Sequence, residues 1–464
     1  MEFVILIAYY PGGVLSMTIL GVDVGTTGLK MAVFSVDNGT LTPIGSYSDT
    51  YEIRTYNNGL FSDIHPEKWQ KAFAAGCQEM QDLMGDVEVI GLSGTTPGMT
   101  SMDGEGNVLY PAILMLDQRS RNQAQRIIDT IGMQSLLDIT GNMPVAGGCS
   151  LASILWIKDN HPDIFDKIHT FGHSNTFMGK WLTGNFAIDP SSASLTALYN
   201  TVANDLTWNK DIGDALGLSI EKLPKLIPSY ESAGRVTNTL AKQLGLVRLP
   251  QVVIGGNDAV LAAYSVGIVE PGDATNVNGT CEITLVCLPK CLGSKNYNVR
   301  AHALPGRWLT LYVMNAGGNA LEWFRNLFCS EMEIDTFYNE FITEAIGTFL
   351  ERESSITYVP YLMGSRYSLE PLKAEFLGLT AETTREELMA AMIRGLCHYQ
   401  REHLKEISIE VPLNKMIHVT GGAVNPAIIQ AKKKWMRNCD YVHEEESSMK
   451  GAALLGLKYL EQNR

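Results

Sequence analysis

The apolar positions of this chain fall into short unbroken runs and into longer stretches of helical period. Residues 18–22 and 30–36 are apolar runs of strand length, and the turn between them holds Asp23, Gly25, Thr26 and Thr27. Asn38-Gly39 then marks a second hairpin turn. Much later, residues 273–288 repeat the device: apolar run, Gly279-Thr280 turn, apolar run. Residues 69–84 and 121–137 have helical amphipathic spacing. Thr384 followed by Glu387 forms a capping box before a periodic helix that extends to about residue 404. Strands alternating with such helices predict an α/β fold. The recurrence of one hairpin half a chain apart predicts two related domains, their turns facing each other across a cleft. Pro224, Pro228 and Pro250 punctuate a loop-rich stretch, placing the boundary near residue 250. The domains are therefore expected over residues 17–250 and 251–464.

Length and charge narrow the classes. The chain has 464 residues, enough for two domains, and 45% hydrophobic with 19% charged residues is the balance of a folded globular protein. The net charge of −14 argues against nucleic acid or an anionic membrane as partner. The one basic run, Lys432-Lys433-Lys434, is expected on a solvated helix face. No stretch reaches the ~20 apolar residues of a membrane span. The first 16 residues are apolar but carry only Glu2 as a charge and are broken at Pro11-Gly12-Gly13, unlike a secretory signal. They are expected to be an extension ahead of a natural start at Met17. The eight cysteines are scattered without metal-site spacing, which fits free thiols in a reducing cytoplasm.

The opening turn has the chemistry of a phosphate cradle. Glycine lets backbone N–H groups converge on a small space, threonines add hydroxyl donors and Lys30 adds charge. Asp23 then makes sense as a ligand for magnesium accompanying the phosphates. A tight turn capped by Asp23 would use the same residues, and the Walker spacing is absent. The segment "VIGGNDAVLAAYSVG" (residues 253–267) runs strand, Gly255-Gly256, Asp258, helix. The segment "VTGGAVNPAIIQ" (residues 419–430) has the same form around Gly421-Gly422 and Asn425. Four such elements in order are hard to explain as unrelated turns.

Together these residues resemble the FGGY family of carbohydrate kinases, and within it the xylulokinase-like members. The resemblance is carried by "GVDVGTTGLK", "GLSGTTPGMTSMDGEGNVLYPAILMLDQRS", "GGNDAVLAAYSVGIVEPGDATNVNGT", "NAGGNALEWFRNLF", "VTGGAVNP" and "KGAALLGL". It implies two RNase H-like domains of the actin/hexokinase/Hsp70 type flanking a catalytic cleft. It implies ATP and Mg2+, a small sugar or polyol as acceptor and a cytoplasmic enzyme, and it leaves a homodimer open. By the same resemblance Asp258 is the general base, and Asp23 holds magnesium with Asp258 beside it. Gly25, Thr26, Thr27 and Lys30 form the first phosphate turn, Gly279 and Thr280 the second. Gly421, Gly422 and Asn425 form the adenosine slot. Thr96, Pro97, Asp117 and Arg119 line the sugar pocket with Asp258.

The departures from the pattern bear on substrate. Xylulokinases carry Met-His where this chain has Thr96-Pro97, and Asn where it has Ala259. Losing two polar groups from a sugar pocket moves specificity, because a buried hydroxyl must be paired. A ketopentose is the expected kind of acceptor, with plain D-xylulose disfavoured. The rivals are a non-catalytic sensor of the same fold, which would not need Asp258, and an actin-like or chaperone ATPase, which would not need the segment around Asp117 to Arg119. His173, Trp156 and Trp181 are expected to be structural.

Overall fold

A computed structural model describes residues 17–352, 354–365, 367, 372–422, 424–444 and 447–463. The expected extension, residues 1–16, lies outside them.

The opening hairpin is β1 (Thr18–Val24) and β2 (Gly28–Asp37), followed by β3 (Thr40–Thr50). Asn38 and Gly39 both take positive φ (49° and 79°), the backbone that a tight β2–β3 hairpin requires. With β4 (Val87–Gly94), β5 (Ser232–Arg235) and β6 (Gln251–Asn257) these strands form a six-stranded sheet in the order β5-β6-β4-β1-β2-β3. The hairpin strands pair antiparallel, while β4 lies parallel to β1 and β6 parallel to β4. The second sheet contains β7 (Ala274–Asn278), β8 (Glu282–Leu288), β9 (Asn298–Ala301), β10 (Trp308–Met314), β11 (Met416–Thr420) and β12 (Asp440–His443), in the order β9-β10-β8-β7-β11-β12. Here too an antiparallel hairpin, β7–β8, is followed by two strands parallel to its first member. The two hairpins that rhyme in sequence thus occupy the same place in two sheets of like topology.

The boundary expected near residue 250 falls between β5 and β6, neighbouring strands of the first sheet. Asp258, assigned by sequence to the second half, therefore stands at the end of a first-sheet strand and opens α1 (Asp258–Ser265). The last helix, α5 (Ser448–Gln462), also crosses back. It packs on β1 and β4, where Gly21 lies against the Met449 carbonyl and Gly91 against that of Ala452, so that neither glycine has room for a side chain. Between the sheets, one core unites Ile19, Val89 and Val253 with Leu285, Leu309, Leu455 and residues of α1.

Some helices differ from their expected limits. The 69–84 stretch is a helix over Glu67–Glu79 and a short turn over Gln81–Met84. The 121–137 stretch ends its first helix at Ile131, because Gly132 at φ 88° turns the chain before Met133–Thr140 resumes. Helix α3 (Arg385–Glu410) runs past residue 404. The Thr384 hydroxyl accepts from the Glu387 N–H as expected, but the Glu387 carboxylate takes the Ser354 hydroxyl instead of completing the box. Two further helices, α2 (Gly318–Phe328, ahead of α3) and α4 (Pro426–Ala431, after it), flank the second hairpin's turn and β11.

Candidate active site

Strand register sets the first cluster. Asp23 lies opposite Lys30 on β2 and Ser93 on β4. The Ser93 hydroxyl donates to Asp23 Oδ1 at 2.9 Å. Burial raises the pKa of Asp23 above the usual carboxylate range, against hydrogen bonds from Ser93 and Ser448 and the charge of Lys30. The turn closes through Gly25 N–H to the Gly28 carbonyl (2.9 Å), and the Tyr51 hydroxyl donates to the Gly25 carbonyl at 2.6 Å. Thr26 and Thr95 hydroxyls meet at 3.0 Å, and the Thr95 N–H donates to the Val24 carbonyl at 2.9 Å. The first turn is thereby stitched to the segment that carries Thr96 and Pro97. Thr27 and Lys30 remain exposed.

Asp258 is reached from the next parallel strand. Gly255, at φ 65°, presses against the backbone of Leu92, and Gly256 backs onto Ser191. The helix cap is Asn257, whose Oδ1 accepts from Val260 N–H at 3.2 Å. With Asn257 as the cap, Asp258 stands one step inside the helix. Asp258 Oδ1 accepts from the Ala259 N–H (2.7 Å) and from Asn257 Nδ2 (2.6 Å). Burial and then the charge of Asp23 push its pKa up to about 6, while Arg300, the Ala259 N–H and Asn257 oppose the rise. That is well above the ~3.9 of an unperturbed aspartate, and still leaves the group mostly ionised at neutral pH. Thr96 Oγ1 accepts from Asn257 Nδ2 at 2.6 Å and from Arg300 Nη1 at 2.9 Å. Pro97 is buried and follows a cis peptide bond.

The second turn rests on the start of α2. Gly279 N–H donates to the Cys281 carbonyl at 3.0 Å, and the Gly279 and Thr280 carbonyls accept from Gly318 (2.9 Å) and Gly317 (3.1 Å). Gly421 ends β11 at φ 98° against the carbonyl of Asn278, the residue before the turn, where no side chain would fit. The adenosine-slot glycines and the second turn are therefore neighbours, and Gly422 faces open space. Asn425 caps α4 by accepting from Ile428 N–H at 2.9 Å and donates to the Tyr338 carbonyl at 3.0 Å. Behind the turn, Lys432 pairs with Glu282 at 2.7 Å, both side chains almost wholly buried. This corrects the solvated placement expected for the lysine run: Lys433 and Lys434 are exposed, but Lys432 faces the core.

Asp117 and Arg119 are also buried and engage each other, at 2.7 Å between Arg119 Nη2 and Asp117 Oδ2. Arg119 also pairs with Asp63 at 2.9 Å, and its guanidinium lies 4.3 Å from the Phe61 ring and 5.1 Å from that of Trp156. Burial works against the Asp63 carboxylate, but hydrogen bonds from Arg119, Tyr56 and Arg54 outweigh it and lower the pKa. The Asp117–Arg119 pair is thus the centre of an internal network with Asp63, which no spacing in the sequence connects to it. Arg300, Asn257 and Ser93 were likewise missed: Arg300 and Ser93 lie far in sequence from the groups they touch, and Asn257, though beside Asp258, also reaches Thr96 across 161 residues. His173 is buried, with Nε2 at 2.6 Å from the Ser150 hydroxyl. Burial and the charge of Arg300 push its pKa down to about 3, so the ring is neutral.

The FGGY carbohydrate kinase N-terminal domain model matches residues 18–265 and the C-terminal domain model residues 274–458. The chain belongs to the FGGY family of carbohydrate kinases. It is 28% identical over 421 residues to a xylulose kinase of Lactococcus lactis, covering 89% of this chain and 81% of that one. It is 25% identical over 456 residues to a gluconokinase of Bacillus subtilis, covering 94% and 86%. Among solved structures, a "xyloylose kinase" from Brucella ovis superposes with a TM-score of 0.86 at 25% identity, over 96% of this chain and 91% of that one. This FGGY protein is accordingly a carbohydrate kinase, xylulokinase-like in sequence and fold, and ATP as phosphoryl donor follows from the family. Its acceptor is a small molecule. Among the described residues no helix is long and apolar enough to cross a membrane, and no three metal-ligating side chains cluster.

Proposed function

We propose that this kinase transfers the γ-phosphoryl group of ATP to a hydroxyl of a small sugar or polyol, such as a ketopentose, with Asp258 as general base. The observation that carries this is the environment of Asp258. It lies one residue inside a helix, is partly buried, and among the described residues its hydrogen bonds all fall on Oδ1. A pKa pushed up to about 6 suits a group that must be ionised yet accept a proton near neutral pH. The acceptor oxygen attacks phosphorus as its proton passes to Asp258, and the bond to the ADP oxygen breaks. Alignment and charge neutralisation carry most of such a transfer.

The rest of the machinery follows the family's plan. Gly25, Thr26, Thr27 and Lys30 would hold phosphates from the first sheet, Gly279 and Thr280 from the second, with adenosine beside Gly421, Gly422 and Asn425. Thr96 and Pro97 would border the acceptor, and Asp117 and Arg119 would support that wall through their buried pair. The neighbourhood also fits magnesium. Asp23 and Asp258 offer only hard oxygen donors, burial raises both pKa values, and a divalent cation would relieve that cost. Asp23 and Asp258 are the residues that would hold it, the remaining ligands coming from phosphate and water, and it would neutralise charge on the phosphates. The free cysteines support a cytoplasmic site.

A coupled ADP-release assay across pentuloses, hexuloses, tetritols, pentitols and aldonates tests this reading. At least one acceptor should turn over, and Asp258→Ala should lose ~10²–10⁴-fold in kcat while still binding ATP. A variant with near-native turnover would remove the base from Asp258. Nucleotide binding with no turnover of any acceptor would favour a sensor.

A further inference from the structure

The edge strand of the second sheet, β9, pairs on one side with β10 and on the other with side chains of the first half. Asn142 behaves like a strand residue there: its Oδ1 accepts from Val299 N–H at 2.9 Å and its Nδ2 donates to the Val299 carbonyl at 2.8 Å. Two residues on, the Ser194 hydroxyl accepts from Ala301 N–H at 3.0 Å. The residue between these two clamps is Arg300, 5% exposed, and its Nη1 reaches Thr96 Oγ1.

From Thr96 the contacts continue without a gap. Thr96 Oγ1 has two acceptor lone pairs, and two donors arrive, Arg300 Nη1 and Asn257 Nδ2. Asn257 Nδ2 has two hydrogens; one goes to Thr96 and the other to Asp258 Oδ1. Asn257 Oδ1 is held by the helix N–H of Val260. Thr96 and Asn257 are 3% and 1% exposed, so water does not compete for these groups. In the chain Arg300–Thr96–Asn257–Asp258 each donor is thus fixed, Arg300 and Asn257 both donating to Thr96 and Asn257 also to Asp258, and the chain begins on the other sheet.

We propose that Arg300 is a positioning residue for the acceptor side of the reaction: it fixes the Thr96 hydroxyl and, through Asn257, the orientation of the Asp258 carboxylate. The inference rests on the reading of Asp258 as the base. Because Arg300 belongs to the second sheet, the carboxylate is aligned only while β9 is seated on the first half. Thr96 serves here as a relay rather than as a hydroxyl offered to the sugar, which gives the departure at this position a use.

The test is a double-mutant cycle on the full-length enzyme, with saturating ATP and the acceptor that turns over fastest in the panel above. Arg300→Met and Thr96→Val should each lower kcat by about 10–100-fold, the scale of a small misalignment at the reacting centre. The KM for ATP should stay within about twofold, since the chain these residues build leads to Asp258 and not to the nucleotide turns. The double variant should be no slower than the worse single variant within about threefold, because both break the same chain. Arg300→Lys, which keeps a donor, should recover most of the loss. Thermal unfolding of each variant reports folding, and if Arg300→Met does not fold, the near-isosteric Thr96→Val and Arg300→Lys carry the test. Losses that multiply in the double variant, a kcat that does not change, or an ATP KM that rises instead would overturn the inference. The reading beneath it is checked separately. Near-native turnover of Asp258→Ala removes the base and this inference with it; an inactive Asp258→Ala beside unimpaired Arg300 and Thr96 variants removes the relay alone.

Discussion

Lys432 and Glu282 form an ion pair at 2.7 Å with both side chains almost wholly buried, four residues past Asn278 and directly behind the second Gly-Thr turn. Asn276 donates to the same carboxylate oxygen at 3.0 Å, so that oxygen is doubly held. Removing only the cation leaves a buried, uncompensated carboxylate, which ordinarily costs about 3–5 kcal/mol. Lys432→Met should therefore lower the denaturant midpoint steeply, and adding Glu282→Gln should restore part of it. Equal midpoints for Lys432→Met and the parent would show the pair to be energetically idle.

Gly421 makes a sharper claim on the nucleotide side. Its φ of 98° is one that side chains rarely adopt, and a methyl group there would strike the Asn278 carbonyl. Gly421→Ala should displace the second turn and raise the KM for ATP by about tenfold, leaving the acceptor KM near its parent value, as expected when ground-state binding of one substrate is lost. Initial-rate kinetics with each substrate varied in turn gives the answer.

Asp23 is the test of magnesium. Asp23→Asn keeps the Ser93 contact available but removes the charge. Half-saturating Mg2+ should rise by about tenfold in ADP-release assays, and a chelator should stop turnover of both forms. An unchanged Mg2+ requirement would move the ion away from this carboxylate.

Acid stability follows from three buried imidazoles. Burial pushes the pKa of His173 and His403 down to about 3 and that of His302 to about 4, against about 6.5 in the unfolded chain. Below pH 6.5 the unfolded state takes up protons that the folded state refuses, so lowering the pH favours unfolding. Their contribution is whole above pH 6.5 and falls from there to about pH 4 for His302 and to about pH 3 for His173 and His403. Urea midpoints should be flat from pH 7 to 8 and drop between pH 6.5 and 4. His403→Gln should make that slope shallower by about one proton.

The two hairpins, their Gly-Thr turns and the strand–glycine–helix junctions were legible because each is written in consecutive residues. Apolar runs bounded by glycine report a local period and a turn, and those are what the sheets use. Partners were not legible. Nothing near Pro250 says that residues 251–257 pair with residues 89–94, yet that pairing carries Asp258 onto the first sheet. Asp63 reads as an acid in a short strand until Arg119 reaches it from 56 residues away. Arg300 looks like one charged residue in an apolar strand, and only its contact with Thr96, 204 residues distant, gives it a part in the site. Lys432 was misread because a run of three lysines reads as solvated, while the helix turns one of them inward against a carboxylate 150 residues earlier. Charges buried through distant partners break the local rule, and those partners are set by topology.

The closing helix α5 lies across β1 and β4, strands made long before it. During synthesis that face of the sheet stays incompletely covered until α5 has left the ribosome. A nascent or truncated product lacking residues 448–462 would present an apolar sheet to its surroundings, and would be a substrate for chaperones and proteases rather than a smaller working enzyme.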